Sequence, residues 1–156
     1  MVNDAERFYR GQALLDFGAK GIPMRVLLIE DEPTTARAIE LMLTTEGFNV
    51  YSTDLGEEGV DLGKLYDYDI ILLDLNLPDM TGVDVLAKVK GNSHLKRTPV
   101  VILTTSKEEE DLVASYKLGA NSYVRKPVDF GEFAKVVNSI GLHWLLLNEA
   151  PPRNHA

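Results

Sequence analysis

The sequence predicts an α/β fold, a doubly wound parallel sheet of five strands with helices on both faces. Two observations carry this. The runs RVLLI (25–29), DIILL (69–73) and PVVIL (99–103) are apolar without alternation, as strands buried on both faces are. Between them lie segments with helical spacing, so strand and helix alternate, and that order builds parallel sheets through right-handed crossovers.

Each element has its own signal. Arg25–Ile29 is the first strand. Pro33 suits the first turn of a helix over Thr34 to Glu46, in which Ala36, Ile39, Leu41 and Leu43 are the apolar positions and Gly47 the stop. Phe48–Ser52 is the second strand, Glu57–Leu65 a short helix, Asp69–Leu73 the third strand and Gly82–Val89 the next helix. Pro99–Leu103 is a strand, Lys107–Leu118 a helix and Ser122–Val124 a short strand, and Asp129 caps a last helix, Phe130 to Ile140. These five βα units occupy residues 24–140. Residues 1–23 form an N-terminal extension with an amphipathic stretch, Ala5–Phe17, as readily an adventitious leader as a functional element. Residues 141–156 form a C-terminal extension in which Leu142, Trp144, Leu145, Leu146 and Leu147 precede Pro151 and Pro152.

Composition narrows the classes. A length of 156 residues allows one domain with an appendage. No apolar run reaches the roughly 18 residues of a membrane span, and no secretory signal opens the chain. The absence of cysteine removes disulfides and thiolate metal sites and suits a cytoplasmic protein. A formal charge of −8 argues against nucleic acid as a direct partner.

In a doubly wound sheet, ligands bind beyond the carboxyl ends of the strands. Here strand one ends in Glu30, Asp31 and Glu32, strand three in Asp74 and strand four in Thr104, and strand five leads to Lys126. Crowded carboxylates repel and call for a hard cation, for which oxygen ligands suit Mg²⁺. The lysine can grip an oxyanion, and the hydroxyl can donate to one. In outline this is a phosphoryl-transfer site with a carboxylate nucleophile and a metal. Glu32 sits at a helix start and is expected to be a cap or a solvated residue and not a ligand. His94, His143 and His155 have no metal or catalytic spacing.

The motifs LLIEDE (27–32), IILLDLNLPDMTG (70–82), VVILTTS (100–106) and SYVRKP (122–127) together resemble the response-regulator receiver family of two-component signalling over residues 24–140. The resemblance implies a flavodoxin-like (βα)5 fold and a phosphorylation switch served by a sensor histidine kinase. It implies Asp74 as phosphoacceptor and Asp31 as a direct Mg²⁺ ligand, with Asn76 lending its backbone carbonyl. Glu30 belongs to the same metal set, reaching the ion directly or through water. Thr104 is implied as the switch hydroxyl, Tyr123 as the aromatic that turns inward behind it, and Lys126 as the phosphoryl-binding lysine. Tyr123 also fits an ordinary half-buried strand aromatic.

A second resemblance is divided. Residues 24–86 look like the receiver of an OmpR-type cell-cycle transcription factor, and residues 98–152 look like stand-alone regulators paired with bacteriophytochrome kinases. No DNA-binding domain is expected after residue 140. The expected output is protein contact, as a homodimer involving the C-terminal extension. A haloacid-dehalogenase-type phosphatase would need a second Asp two residues after its nucleophile, where this chain has Asn76. A pseudo-receiver with a dead site is disfavoured by Asp31, Asp74, Thr104 and Lys126.

Overall fold

Strands β1 (Arg25–Ile29), β2 (Asn49–Thr53), β3 (Ile70–Leu73), β4 (Val100–Thr104) and β5 (Ser122–Arg125) pair in parallel in the order β2-β1-β3-β4-β5. The computed structural model describes residues 24–104 and 109–126, together with positions 135 and 139, which are helical. From β1 the sheet grows first toward β2 and then in the opposite direction through β3. The expected doubly wound five-stranded sheet is therefore present, with its topological switch point between β1 and β3.

Alternate residues of the apolar strands serve opposite faces. Val26, Leu28, Ile70, Leu72, Val101 and Leu103 pack against Ile39 and Leu43 of helix α1 (Pro33–Thr45). Leu27, Ile29, Ile71, Leu73, Val100 and Ile102 pack against Val60 of α2 (Gly56–Leu65) and Val85, Leu86 and Val89 of α3 (Gly82–Gly91). Burial of each such side chain contributes about 1.5–3 kcal/mol, so the two faces hold the central strands and their loop ends in place. Helix α4 (Glu109–Lys117) contacts α3 and β5.

Element ends differ from the sequence expectation where side chains compete for the backbone. Helix α1 begins at Pro33, one residue early, because the Glu32 carboxylate accepts from the amides of Thr34 (3.2 Å) and Thr35 (2.7 Å) as its N-cap. Gly47, at φ +94°, ends α1, and the Phe48 amide stays with that helix end by donating to the Leu43 carbonyl at 3.1 Å, so β2 starts at Asn49. Strand β3 begins at Ile70 because the Asp69 carboxylate accepts the Arg25 amide at 2.7 Å. The helix expected over 130–140 and both extensions lie outside the described residues, apart from the two helical positions named above.

One close approach fixes the loop after β3. A Cβ on Gly82 would lie 2.4 Å from the Asp74 carbonyl oxygen and 2.5 Å from Leu75 Cα, both backbone atoms. Its amide donates to the Leu75 carbonyl at 2.9 Å, and Thr81 caps α3 by accepting the Asp84 amide at 3.1 Å. Gly82→Ala should therefore destabilise the fold by about 1–3 kcal/mol and displace Asp74. Urea unfolding checks the first, and the amide shift of Asp74 in an NMR spectrum checks the second.

Candidate functional site

The carboxyl ends of β1 and β3 meet at the switch point. Ile29 pairs with Leu73, so Glu30 and Asp74 leave the sheet side by side. The Glu30 amide donates to the Thr53 carbonyl at 3.0 Å and the Asp74 amide to the Ile29 carbonyl at 2.9 Å, which extends the ladder one step past each strand. Both residues are buried, at 3% and 4% exposure. Lys126, directly after β5, comes to the same place. Its Nζ donates to Glu30 Oε1 at 2.6 Å and lies 3.5 Å from Asp74 Oδ2. Asp74 Oδ1 accepts the Asn76 amide at 3.3 Å.

The other expected site residues fall around this triad. Asp31 is exposed next to Glu30, and Asn76 is exposed in the loop after Asp74. Thr104 ends β4 opposite Arg125, and the Leu73–Ile102 pairing puts its backbone one residue beyond the level of Asp74. The Thr104 side chain lies outside the described part of the structure. Tyr123 is half-buried opposite Ile102 and packs on the cluster that contains Ile29 and Leu73.

Two further residues shape the site without an individual signal in the sequence. Asp79, in the loop after Asp74, accepts the amides of Gly56 (2.9 Å) and Glu57 (3.0 Å) and so ties that loop to the start of α2. These bonds hold its carboxyl below the usual range. Gly82 is the other, through its contact with the Asp74 carbonyl. The turn residues of PDMTG mark a loop and a helix start, but not which amides an acid in that loop will reach.

The charge balance of the triad is one-sided. Two buried carboxylates share a single ammonium, so the pocket lacks positive charge. Burial accordingly pushes the Glu30 carboxyl up to about 8, against the pull of Lys126 beside it. The contact with Lys126 favours the ionised form and so opposes this rise without cancelling it. Among the described residues no three acidic or histidine side chains converge as a preformed metal cluster. Glu30 is turned to Lys126 while Asp31 stands in solvent. The donor chemistry still fits a hard cation, since Asp31, Asp74 and the Asn76 carbonyl are all oxygen donors beside a pocket short of positive charge.

A carboxyl whose folded value lies above the ordinary 4.5 favours the fold when protonated. Its contribution is complete below 4.5 and is lost as pH rises toward about 8. The metal-free protein should therefore show a falling thermal midpoint across that window, and Glu30→Gln should flatten the slope. Differential scanning calorimetry in chelated buffers measures both.

Comparison with known proteins agrees with this geometry. The family model described as the response regulator receiver domain matches residues 26–138. The cell cycle transcriptional regulator CtrA of Caulobacter vibrioides is 55% identical over 117 residues, covering 75% of this chain and 50% of CtrA. The chain thus spans about half the length of the curated relatives it matches. That likeness is longer than the stretch 24–86 on which the cell-cycle resemblance rests. Among solved structures, the Mn²⁺-bound response regulator Rcp1 is 34% identical with a TM-score of 0.78, covering 83% of this chain and 100% of Rcp1. The phosphorylated cyanobacterial phytochrome response regulator RcpA is 33% identical with a TM-score of 0.77, covering 83% of this chain and 99% of RcpA. Both halves of the divided resemblance thus have a counterpart, and the chain belongs to the response-regulator receiver domain family.

Proposed function

We propose that this receiver domain is a phosphorylation-dependent signalling switch that accepts its phosphoryl group on Asp74. The single observation that carries the proposal is the buried Asp74 carboxylate at the switch point with the Lys126 ammonium 3.5 Å away. A carboxylate there is a nucleophile, and an ammonium beside it is placed for the oxyanion that arrives. The donor is the phosphohistidine of a sensor histidine kinase. An Asp74 carboxylate oxygen forms the new P–O bond, the P–N bond of the donor breaks, and the imidazole keeps the electron pair and takes up a proton. The domain catalyses only this transfer to itself and the later loss of phosphate to water.

A divalent cation, Mg²⁺ in the cell, would be held by Asp31, Asp74 and the Asn76 backbone carbonyl, with Glu30 behind them. Bound there, it offsets the repulsion between the incoming phosphoryl group and the carboxylates. The Mn²⁺ in Rcp1 and the phosphorylated state of RcpA support both parts of this reading. Lys126 grips one phosphoryl oxygen and the Thr104 hydroxyl donates to another. Tyr123 then turns into the vacated space, so a local charge becomes a change of surface.

The partners follow from the same reading. Likeness to RcpA, a phytochrome response regulator, favours a phytochrome-type kinase as donor. The −8 net charge favours protein contact over nucleic acid as output, in the form of a homodimer through residues 141–156. No helix among the described residues is long and apolar enough to cross a membrane.

Two substitutions test the site. Wild type treated with acetyl phosphate and Mg²⁺ should gain one phosphoryl group by intact mass, and Asp74→Asn should gain none. An undiminished gain on that variant would falsify the assignment of Asp74. Thr104→Ala should still take the group but lose the change in self-association or partner affinity that phosphorylation brings, measured by light scattering or titration. Equal responses would separate Thr104 from the switch.

A further inference from the structure

We propose that the free edge of β2 is a self-association surface, on which a second copy of this chain pairs its own β2 antiparallel about a two-fold axis at Tyr51. Strand β2 ends the sheet, and among the described residues it pairs only with β1. Two ladder bonds fix which of its residues face β1: the Asn49 amide donates to the Met24 carbonyl, and the Glu30 amide to the Thr53 carbonyl. Backbone direction alternates along a strand, so Asn49, Tyr51 and Thr53 face β1. The N–H and C=O groups of Val50 and Ser52 then point away from the sheet. A two-fold axis at Tyr51 sets Val50 opposite the partner's Ser52, and Ser52 opposite the partner's Val50. Each of these pairs exchanges both its bonds, so every outward group of the strand is satisfied.

The make-up of the strand selects a copy of itself as the occupant. Sheet edges are ordinarily closed by a charge, a proline or a bulge, and β5 at the opposite edge ends in Arg125. Strand β2 reads NVYST and carries neither charge nor proline. Two-fold pairing sets the central residue against itself, where like charges repel and aromatic rings attract. That residue is Tyr51, which is 41% exposed. Its ring is already fixed in the monomer, with the Arg25 guanidinium 5.0 Å from its centroid and the Tyr68 ring edge-on at 5.7 Å. A side chain so held loses little freedom on pairing. The flank beside it is of mixed sign, since the Ser52 hydroxyl donates to the Glu40 carboxylate and Arg37 lies 4.0 Å from that same acid. The copies therefore meet at a neutral edge, although a chain of charge −8 repels its like at a distance. Salt screens that repulsion and leaves the backbone bonds in place. An edge of five residues makes a small and transient contact.

The chain has no cysteine, so a single introduced one reports the contact. In the two-fold arrangement the two copies of position 51 form a non-hydrogen-bonded pair with Cα atoms about 4.5 Å apart, within disulfide reach. Position 52 meets its own copy only on the diagonal, beyond that reach. In the full chain under mild oxidation, Tyr51→Cys should give at least about fivefold more disulfide dimer than Ser52→Cys. That excess should grow with added salt. Equal yields, or more dimer from Ser52→Cys, would mean chance collision and overturn the proposal. Amide exchange in the wild type tests it without any cysteine. The Val50 and Ser52 amides should exchange more slowly as protein concentration rises. Tyr51→Glu sets an acid beside Arg25 in the monomer but like charges at the two-fold axis, and it should abolish that slowing. Protection of Val50 and Ser52 that does not depend on concentration would mean that a segment of the same chain, residues 1–23 foremost, covers the edge. Fast exchange at every concentration would mean that nothing does. Either result overturns the proposal.

Discussion

The arrangement at the switch point depends on one buried ammonium. Glu30 and Asp74 leave adjacent strands at the same level because Ile29 pairs with Leu73, and the parallel ladder gives neither room to turn away. Two carboxylates so placed in a dry pocket would repel each other with little solvent screening. Lys126 makes the arrangement tenable, and it reaches the pair only because β5 docks on β4 with Thr104 opposite Arg125. The sheet order from β1 to β5 is therefore also the order in which the charges of the site are assembled.

The fold was legible because its strands are apolar in a continuous run. RVLLI and IILL can be satisfied only by burial on both faces, and the two packed clusters divide their residues alternately. Strand and helix ends were less legible, since a side chain settles each of them. Glu32 draws the start of α1 back to Pro33, and Asp69 commits its carboxylate to the Arg25 amide, which leaves Ile70 as the first residue of β3. Such ends are decided by acceptors that compete for a few amides, and hydropathy carries no record of that competition.

The site was legible as a set of residues and not as a set of contacts. Strand ends bring Glu30, Asp74 and Lys126 together as the alternation of elements implies. That Lys126 lies 2.6 Å from Glu30 Oε1 and 3.5 Å from Asp74 Oδ2 depends on side-chain conformation, which no spacing encodes. Asp79 shows the same limit. Its carboxylate reaches the start of α2, 22 and 23 residues back along the chain, and only the packed loop shows why an acid belongs there.

These contacts give the domain its capacity to respond. The loop that carries Asp74 is clamped at three points: the Ile29 carbonyl on one side, Gly82 beneath it and the Asp79 bonds to α2. A charge added to Asp74 therefore meets a loop held on several sides. The groups beside it are side chains, of which Lys126 already faces both Glu30 and Asp74. A rigid acceptor surrounded by a few side chains with alternative partners converts a change of charge into a choice between two packed states, and that discreteness is what a switch requires.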